Sequence, residues 1–195
     1  YLAFMSELSS RDQKRKQTAH DLAKAAFDFT NAHGLDGFTI DDVVTQVGVS
    51  RRTFANYFSC KEEAVASLAI ERLHDGISSM PELPNDVTLL EWVRSLAEHQ
   101  LSSGMLDLLI RLHELADSNP ALKPFVENVH GEIRRTAQAV VSEKAGNSVS
   151  KFTAPIIVGA AYGALSSYIE SGAPRQGASL AEFIDKVFSS LKSGL

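Results

Sequence analysis

Apolar residues recur along this chain at three- and four-residue spacings, and no run alternates with the two-residue period of a half-buried strand. The pattern predicts an all-α fold. A first helix is expected from about Arg11 to His33, with Ala19, Leu22, Ala23, Ala26, Phe27 and Thr30 as its inward stripe and Gly34 as its stop. In "TIDDVVTQVGVS", Ile40, Val43, Val44 and Val47 fall at i, i+3, i+4 and i+7. Thr39 is the expected N-cap there, and Asp41 and Asp42 sit in the first turn, where the helix dipole favours acids. Gly48 supplies a left-handed turn residue, Val49 an apolar plug and Ser50 a second N-cap. Two short helices around a glycine-containing turn are the signature of a helix-turn-helix.

Downstream, Ser59 and Glu62 have capping-box spacing and open a long amphipathic helix through Val65, Leu68, Ala69 and Leu73. The two prolines of "SSMPELPND" mark a connection at 78–86. Further helices are expected at about 87–102, 105–118, 120–144, 150–171 and 180–191, the third opened by proline in "SNPAL". The organisation that follows is a helix-turn-helix domain at 11–58, a connecting helix at 59–79 and a larger helical domain at 83–195.

On a helical wheel, "GVSRRTFANYF" places Phe54 and Phe58 on one side and Arg52 and Asn56 nearly opposite, with Thr53 and Ala55 flanking them. The aromatic side is suited to packing. The other carries the chemistry of major-groove reading: an arginine that can bind guanine through two donors, an asparagine that can pair with adenine, and small groups for thymine methyls. Arg51, Tyr57 and Lys61 are expected at phosphates, with Thr39, Ser50 and the basic stretch Lys14 to Lys16 as further contacts along the backbone.

Composition changes little of this. Apolar residues make up 44% and charged residues 22%, so neither disorder nor a fibrous repeat is indicated. The net charge of −5 argues against a generally basic surface but leaves room for a local patch, because screening limits an exposed charge to about 8 Å at physiological salt. "RDQKRK", from Arg11, is such a patch. The single cysteine, Cys60, excludes an intramolecular disulfide and fits a reducing cytoplasm. "YLAFMSELSS" lacks the basic and apolar regions of a signal peptide, and Met5 is a candidate start. Phe152 to Ile169 runs 18 residues without a charge, but its Ala, Gly and Ser content and Pro155 fit a helix packed against protein rather than a membrane span.

"GLDGFTIDDVVTQVGVSRRTFANYFSCKEEAV", Gly34 to Val65, resembles the DNA-binding end of the TetR family of bacterial transcriptional regulators. The likeness lies in the Phe-Thr before the first short helix, the Gly-Val-Ser turn, the Thr of the reading helix, and Tyr-Phe followed by Lys-Glu. It implies a homodimer on a double-stranded operator, a recognition helix from about Ser50 to Tyr57, and induction by a small-molecule effector. It also implies phosphate contacts for Tyr57 and Lys61. Ala55 stands where family members commonly carry an aromatic, so no contact is carried over there. Serine often occupies the place of Cys60.

In the larger domain, Trp92, Met105, Leu109, His113, Phe125 and Tyr162 are candidate pocket residues. "RLHELADSNPALKPFVENV" resembles regulators of the mycofactocin and acyl-CoA-like-ligand class, which implies a large, partly apolar effector. Gly159, Ala160, Gly163 and Ala164 offer close helix approach, and with Phe183, Val187 and Phe188 they are the expected dimer interface, a four-helix arrangement. His113 and Asp117 fall one turn apart, but a metal site needs a third ligand. With no phosphate-binding glycine loop and no nucleophile-elbow serine, neither catalysis nor a cofactor is expected. The competing expectations are a constitutive DNA-binding protein without an effector and a metal-binding helical enzyme that uses the His113 region.

Overall fold

The computed structural model describes residues 10–84, 86–146, 150–172 and 179–193, so the opening stretch with Met5 lies outside the described residues. Among these the regular elements are helical: α1 Ser10–His33, α2 Ile40–Val47, α3 Arg51–Ala55, α4 Lys61–Ser78, α5 Leu89–Gln100, α6 Leu106–Ser118, α7 Lys123–Ala145, α8 Thr153–Glu170 and α9 Leu180–Ser193. The chain divides into two compact units. One holds the residues up to His74 together with Glu114–Val129; the other holds Asp75–His113 and the residues from His130 onward. The division falls within α4, and the end of α6 and the start of α7 group with the N-terminal helices.

In the first unit, α1 buries Leu22, Ala23, Ala25, Ala26 and Thr30, whose hydroxyl donates back to the Ala26 carbonyl at 2.8 Å. Ala25 thus joins the expected stripe, while Ala19 and Phe27 are only half-buried. Gly34 ends the helix at φ 75°, with its N–H on the Thr30 carbonyl. A single 3-10 turn, Leu35–Gly37, then carries the chain to Thr39. Leu35, Phe38, Val43, Val44, Phe54, Phe58, Val65, Leu122 and Val129 belong to the buried set of this unit. At roughly 1.5–3 kcal/mol for each fully buried large side chain, this set is what holds α2 and α3, two short helices that could not persist alone.

In the second unit, α5 opens at Thr88, whose hydroxyl accepts from the Glu91 N–H at 3.3 Å while Glu91 accepts from the Thr88 N–H at 2.9 Å. The expected continuation of α5 to residue 102 is interrupted. Leu101–Met105 forms a wide turn in which Gly104 takes φ 89°, a conformation that only glycine adopts without strain, and α6 begins beyond it. The proline start at 120 also shifts: Pro120–Leu122 is a 3-10 turn, and α7 follows from Lys123. Tyr168 of α8 stacks on Phe183 of α9 with ring centroids 4.4 Å apart. Arg94 of α5 bridges Glu98 at 2.8 Å and Asp185 of α9. Among the described residues no helix is long and apolar enough to cross a membrane.

Candidate nucleic-acid interface

The reading segment is built from caps, because its helices are too short to hold themselves. The Thr39 hydroxyl accepts from the Asp42 N–H at 3.3 Å, and the Asp42 carboxylate accepts from the Thr39 N–H at 2.7 Å and its hydroxyl at 2.8 Å. Those bonds, the hydroxyl's first, hold the Asp42 carboxyl below the usual carboxylate range. The cap therefore stabilises the fold above the ordinary carboxylate pKa and is lost as pH falls through the lowered one. Gly48 closes α2 in the left-handed region at φ 76° and ψ 34°, donating to the Val44 carbonyl at 2.9 Å. Ser50 caps α3, its hydroxyl accepting from the Thr53 N–H at 3.0 Å and lying 2.9 Å from the Thr53 hydroxyl.

Regular α3 stops at Ala55, shorter than the expected Ser50 to Tyr57. Asn56 and Tyr57 continue it as a turn, with the Tyr57 and Phe58 N–H groups both on the Phe54 carbonyl at 2.9 Å. The tightening has a physical cause: Phe58 must reach the core beside Phe54, 5.7 Å between ring centroids, before α4 begins. Phe54 and Phe58 are buried, and Arg51, Arg52, Ala55 and Asn56 are exposed. Thr53 and Tyr57 lie at the margin, half-buried. Lys14 and Lys16 are exposed on α1, with Arg11 and Arg15.

Two cations are placed by contacts that act across the sequence. Arg51 Nε lies 2.8 Å from the Asp41 carboxylate of α2, with both side chains about two-thirds exposed. Asp41 is thus a member of this surface that its position in the first turn of α2 did not reveal. Lys61, half-buried, donates to the Leu35 carbonyl and to the Phe38 carbonyl at 3.1 Å, and its Nζ sits 4.9 Å from the Phe38 ring centroid.

The start of α4 departs from the expected Ser59–Glu62 box. Cys60 is the cap, its thiol sulfur accepting from the Glu63 N–H at 3.4 Å, while the Glu63 carboxylate accepts from the Ser59 N–H at 2.7 Å and its hydroxyl at 2.6 Å. Burial pushes the Cys60 thiol up, opposed by the Glu63 N–H that it accepts. Sulfur is a weak acceptor. Cys60→Ser is accordingly expected to stabilise α4 by about 0.5–1 kcal/mol, raising the thermal midpoint by roughly 1–4 °C in a calorimetric scan. A lower midpoint would show that packing of the sulfur, not capping, decides the residue.

Of the candidate pocket residues, Met105, Leu109 and Tyr162 are buried in the second unit and Trp92 and His113 half-buried there, whereas Phe125 belongs to the first unit. The Tyr162 hydroxyl meets His130 Nδ1, and the Arg134 guanidinium lies 5.8 Å from its ring centroid. Burial pushes the Tyr162 phenol up, opposed by Arg134 and Ser166. Asp117 is exposed, and among the described residues no group of three or more His, Cys, Asp or Glu side chains could hold a metal ion. Along α8, Gly159, Ala160 and Gly163 are exposed and Ala164 is half-buried. Phe152 and Ile156, 61% and 63% exposed, extend this strip and were not singled out from the sequence. On α9, Phe183 and Val187 are half-buried, but Phe188 is buried within the protomer and its ring is not offered to a partner.

Comparison with known proteins bears on the N-terminal segment. Residues 22–68 match the family described as bacterial regulatory proteins, tetR family. The matched stretch runs from within α1 through α2 and α3 into α4, which includes both helices of the turn and the cap at Cys60. No curated protein matches the chain at a significant level. A solved structure from Streptomyces avermitilis MA-4680, provisionally described as a TetR transcriptional regulator, is similar at 16% identity over 89% of this chain and 97% of that one, with a TM-score of 0.48.

Proposed function

We infer that this chain, whose residues 22–68 match the tetR family of bacterial regulatory proteins, is a ligand-responsive repressor that binds a near-palindromic operator as a homodimer. The observation that carries the reading is the division of labour on α3: Phe54 is 1% exposed and anchors the helix, while Arg52 and Asn56 stand clear on the opposite side. Arg52, Thr53 and Asn56 read bases. Arg51, Tyr57, Lys14 and Lys16 hold phosphates, and Thr39 and Ser50, whose hydroxyls already serve their caps, lie beside the backbone. Selection of bound duplexes from a random pool tests this. The expected product is a pair of inverted half-sites one helical turn, about 34–36 Å, or a multiple apart. A pool that stays random would remove the sequence-reading role.

The dimer is assigned to the exposed strip of α8 with the outer side of α9. A Cβ placed on Gly159 meets nothing within 4 Å, so the folded protomer has room for a side chain there. Gly159→Arg is therefore expected to leave the helical signal intact while converting a dimer to a monomer in sedimentation equilibrium. Affinity for a palindromic duplex would fall at least tenfold, about 1.4 kcal/mol. An unchanged mass would place the interface elsewhere.

The effector is assigned to the second unit, where Trp92, Met105 and Leu109 supply apolar surface and Tyr162 and His113 polar groups. This composition supports a large, partly apolar molecule. Its binding would release DNA only to the extent that it prefers the conformation that does not bind. The protein acts in the cytoplasm on this reading.

A further inference from the structure

We propose that Asp41 is a positioning residue for DNA recognition: its carboxylate holds the guanidinium of Arg51 in the orientation in which Arg51 meets phosphate. The inference rests on the regulator reading above. The bond runs from Arg51 Nε to the Asp41 carboxylate at 2.8 Å and joins the second residue of α2 to the first of α3. It uses one of the five guanidinium donors. The end-on fork of Nη1 and Nη2 is thereby turned away from the carboxylate and keeps the geometry that grips a phosphate through two bonds.

Both partners stand on backbone that is already fixed. Asp41 and Asp42 are adjacent acids with different work: Asp42 closes the cap with the Thr39 N–H and hydroxyl, and Asp41 reaches across to α3. On the other side the Ser50 hydroxyl accepts from the Thr53 N–H at 3.0 Å and sets the turn from which Arg51 departs. Gly48, at φ 76°, turns the chain between them. Both side chains are about two-thirds exposed, and a pair so exposed adds little to folding. Its consequence lies in binding, because an arginine ordered before it meets a duplex loses less rotamer freedom on association. Arg51 also opens α3, where the helix dipole disfavours a cation, and the carboxylate offsets this.

The test is a double-mutant cycle on affinity for a duplex selected with the wild-type protein, below the melting range of every variant. An acid on a surface that faces phosphate repels it, so charge alone requires Asp41→Ala to tighten binding. Positioning requires the reverse: Asp41→Ala is expected to weaken binding about fivefold when Arg51 is present and not to weaken it in the Arg51→Ala background. Asp41→Glu, which keeps the carboxylate on a longer stem, is expected to recover most of the loss. Tighter or unchanged binding in Asp41→Ala overturns the proposal. So does an equal loss in both backgrounds, which would mark Asp41 as a structural residue of α2. Should a variant not fold, nitrogen relaxation of the arginine side chains in the DNA-free wild-type protein decides it: Arg51 Nε is expected to be more ordered than Arg52 Nε, and equal mobility overturns the pairing. A wild-type protein that selects no duplex overturns the regulator reading and the proposal with it, whereas the other adverse outcomes leave that reading standing.

Discussion

Replacement of Phe54 by alanine is expected to destabilise the segment around α3 by about 3–5 kcal/mol. Phe54 is 1% exposed and shares the core with Phe58 and with Val43, which is fully buried. Truncating a buried phenylalanine costs about 3–5 kcal/mol, a transfer loss plus the cavity left behind. Most domains have only about 5–15 kcal/mol in total. The penalty falls on a five-residue helix that has no stability apart from its packing. Urea unfolding followed by circular dichroism would register it as a lower midpoint with a similar slope. Phe54→Leu, which keeps most of the volume, should lose much less. A loss below about 1 kcal/mol in Phe54→Ala would mean that the ring is not part of a close-packed core.

The opposite behaviour is expected two residues earlier. Arg52 is exposed, and surface substitutions of this kind usually change stability by no more than about 0.5 kcal/mol. Arg52→Ala should therefore leave the unfolding curve in place while costing about 1–3 kcal/mol of operator binding and relaxing the preference at the base it reads. Arg52→Lys should recover little of the preference, because an ammonium cannot reproduce the planar two-donor fork. Titration of the selected duplex and of single-base variants separates the two quantities. Unchanged affinity and preference in Arg52→Ala would remove α3 as the reading helix. The two variants form a pair: one disables the fold with the reading side chains intact, the other disables reading with the fold intact.

What could be read from the chain was whatever acts within one helical turn. Gly34, Thr39, Gly48 and Ser50 each close or open a helix through bonds to residues three or four away, and each does so where the local pattern placed it. The wheel also placed Phe54 and Phe58 inside and Arg52 and Asn56 outside, because that follows from pitch alone. The pair of Arg51 with Asp41 and the grip of Lys61 on Leu35 and Phe38 were not legible. They depend on how α2 and α4 come back on the chain, which no spacing encodes. Glu63 rather than Glu62 closes the start of α4 because the cap sits at Cys60, one residue later than the serine suggested. Phe188 shows a different limit. An apolar stripe on α9 tells that a surface will be covered, but its own protomer, not a partner, covers that ring. The grouping of 114–129 with the N-terminal helices is likewise a property of tertiary contact rather than of pattern.

The brevity of α3 has a kinetic consequence. Its backbone is fixed at both ends before any duplex is met, by Ser50 on one side and by Phe54 and Phe58 on the other. Little main-chain freedom remains to be lost on association, so the ordering entropy is confined to a few long side chains such as Arg52. On the proposed DNA-binding reading, encounter with a duplex needs no folding step within α3, and its rate is expected to be set by diffusion and by the charges that steer it.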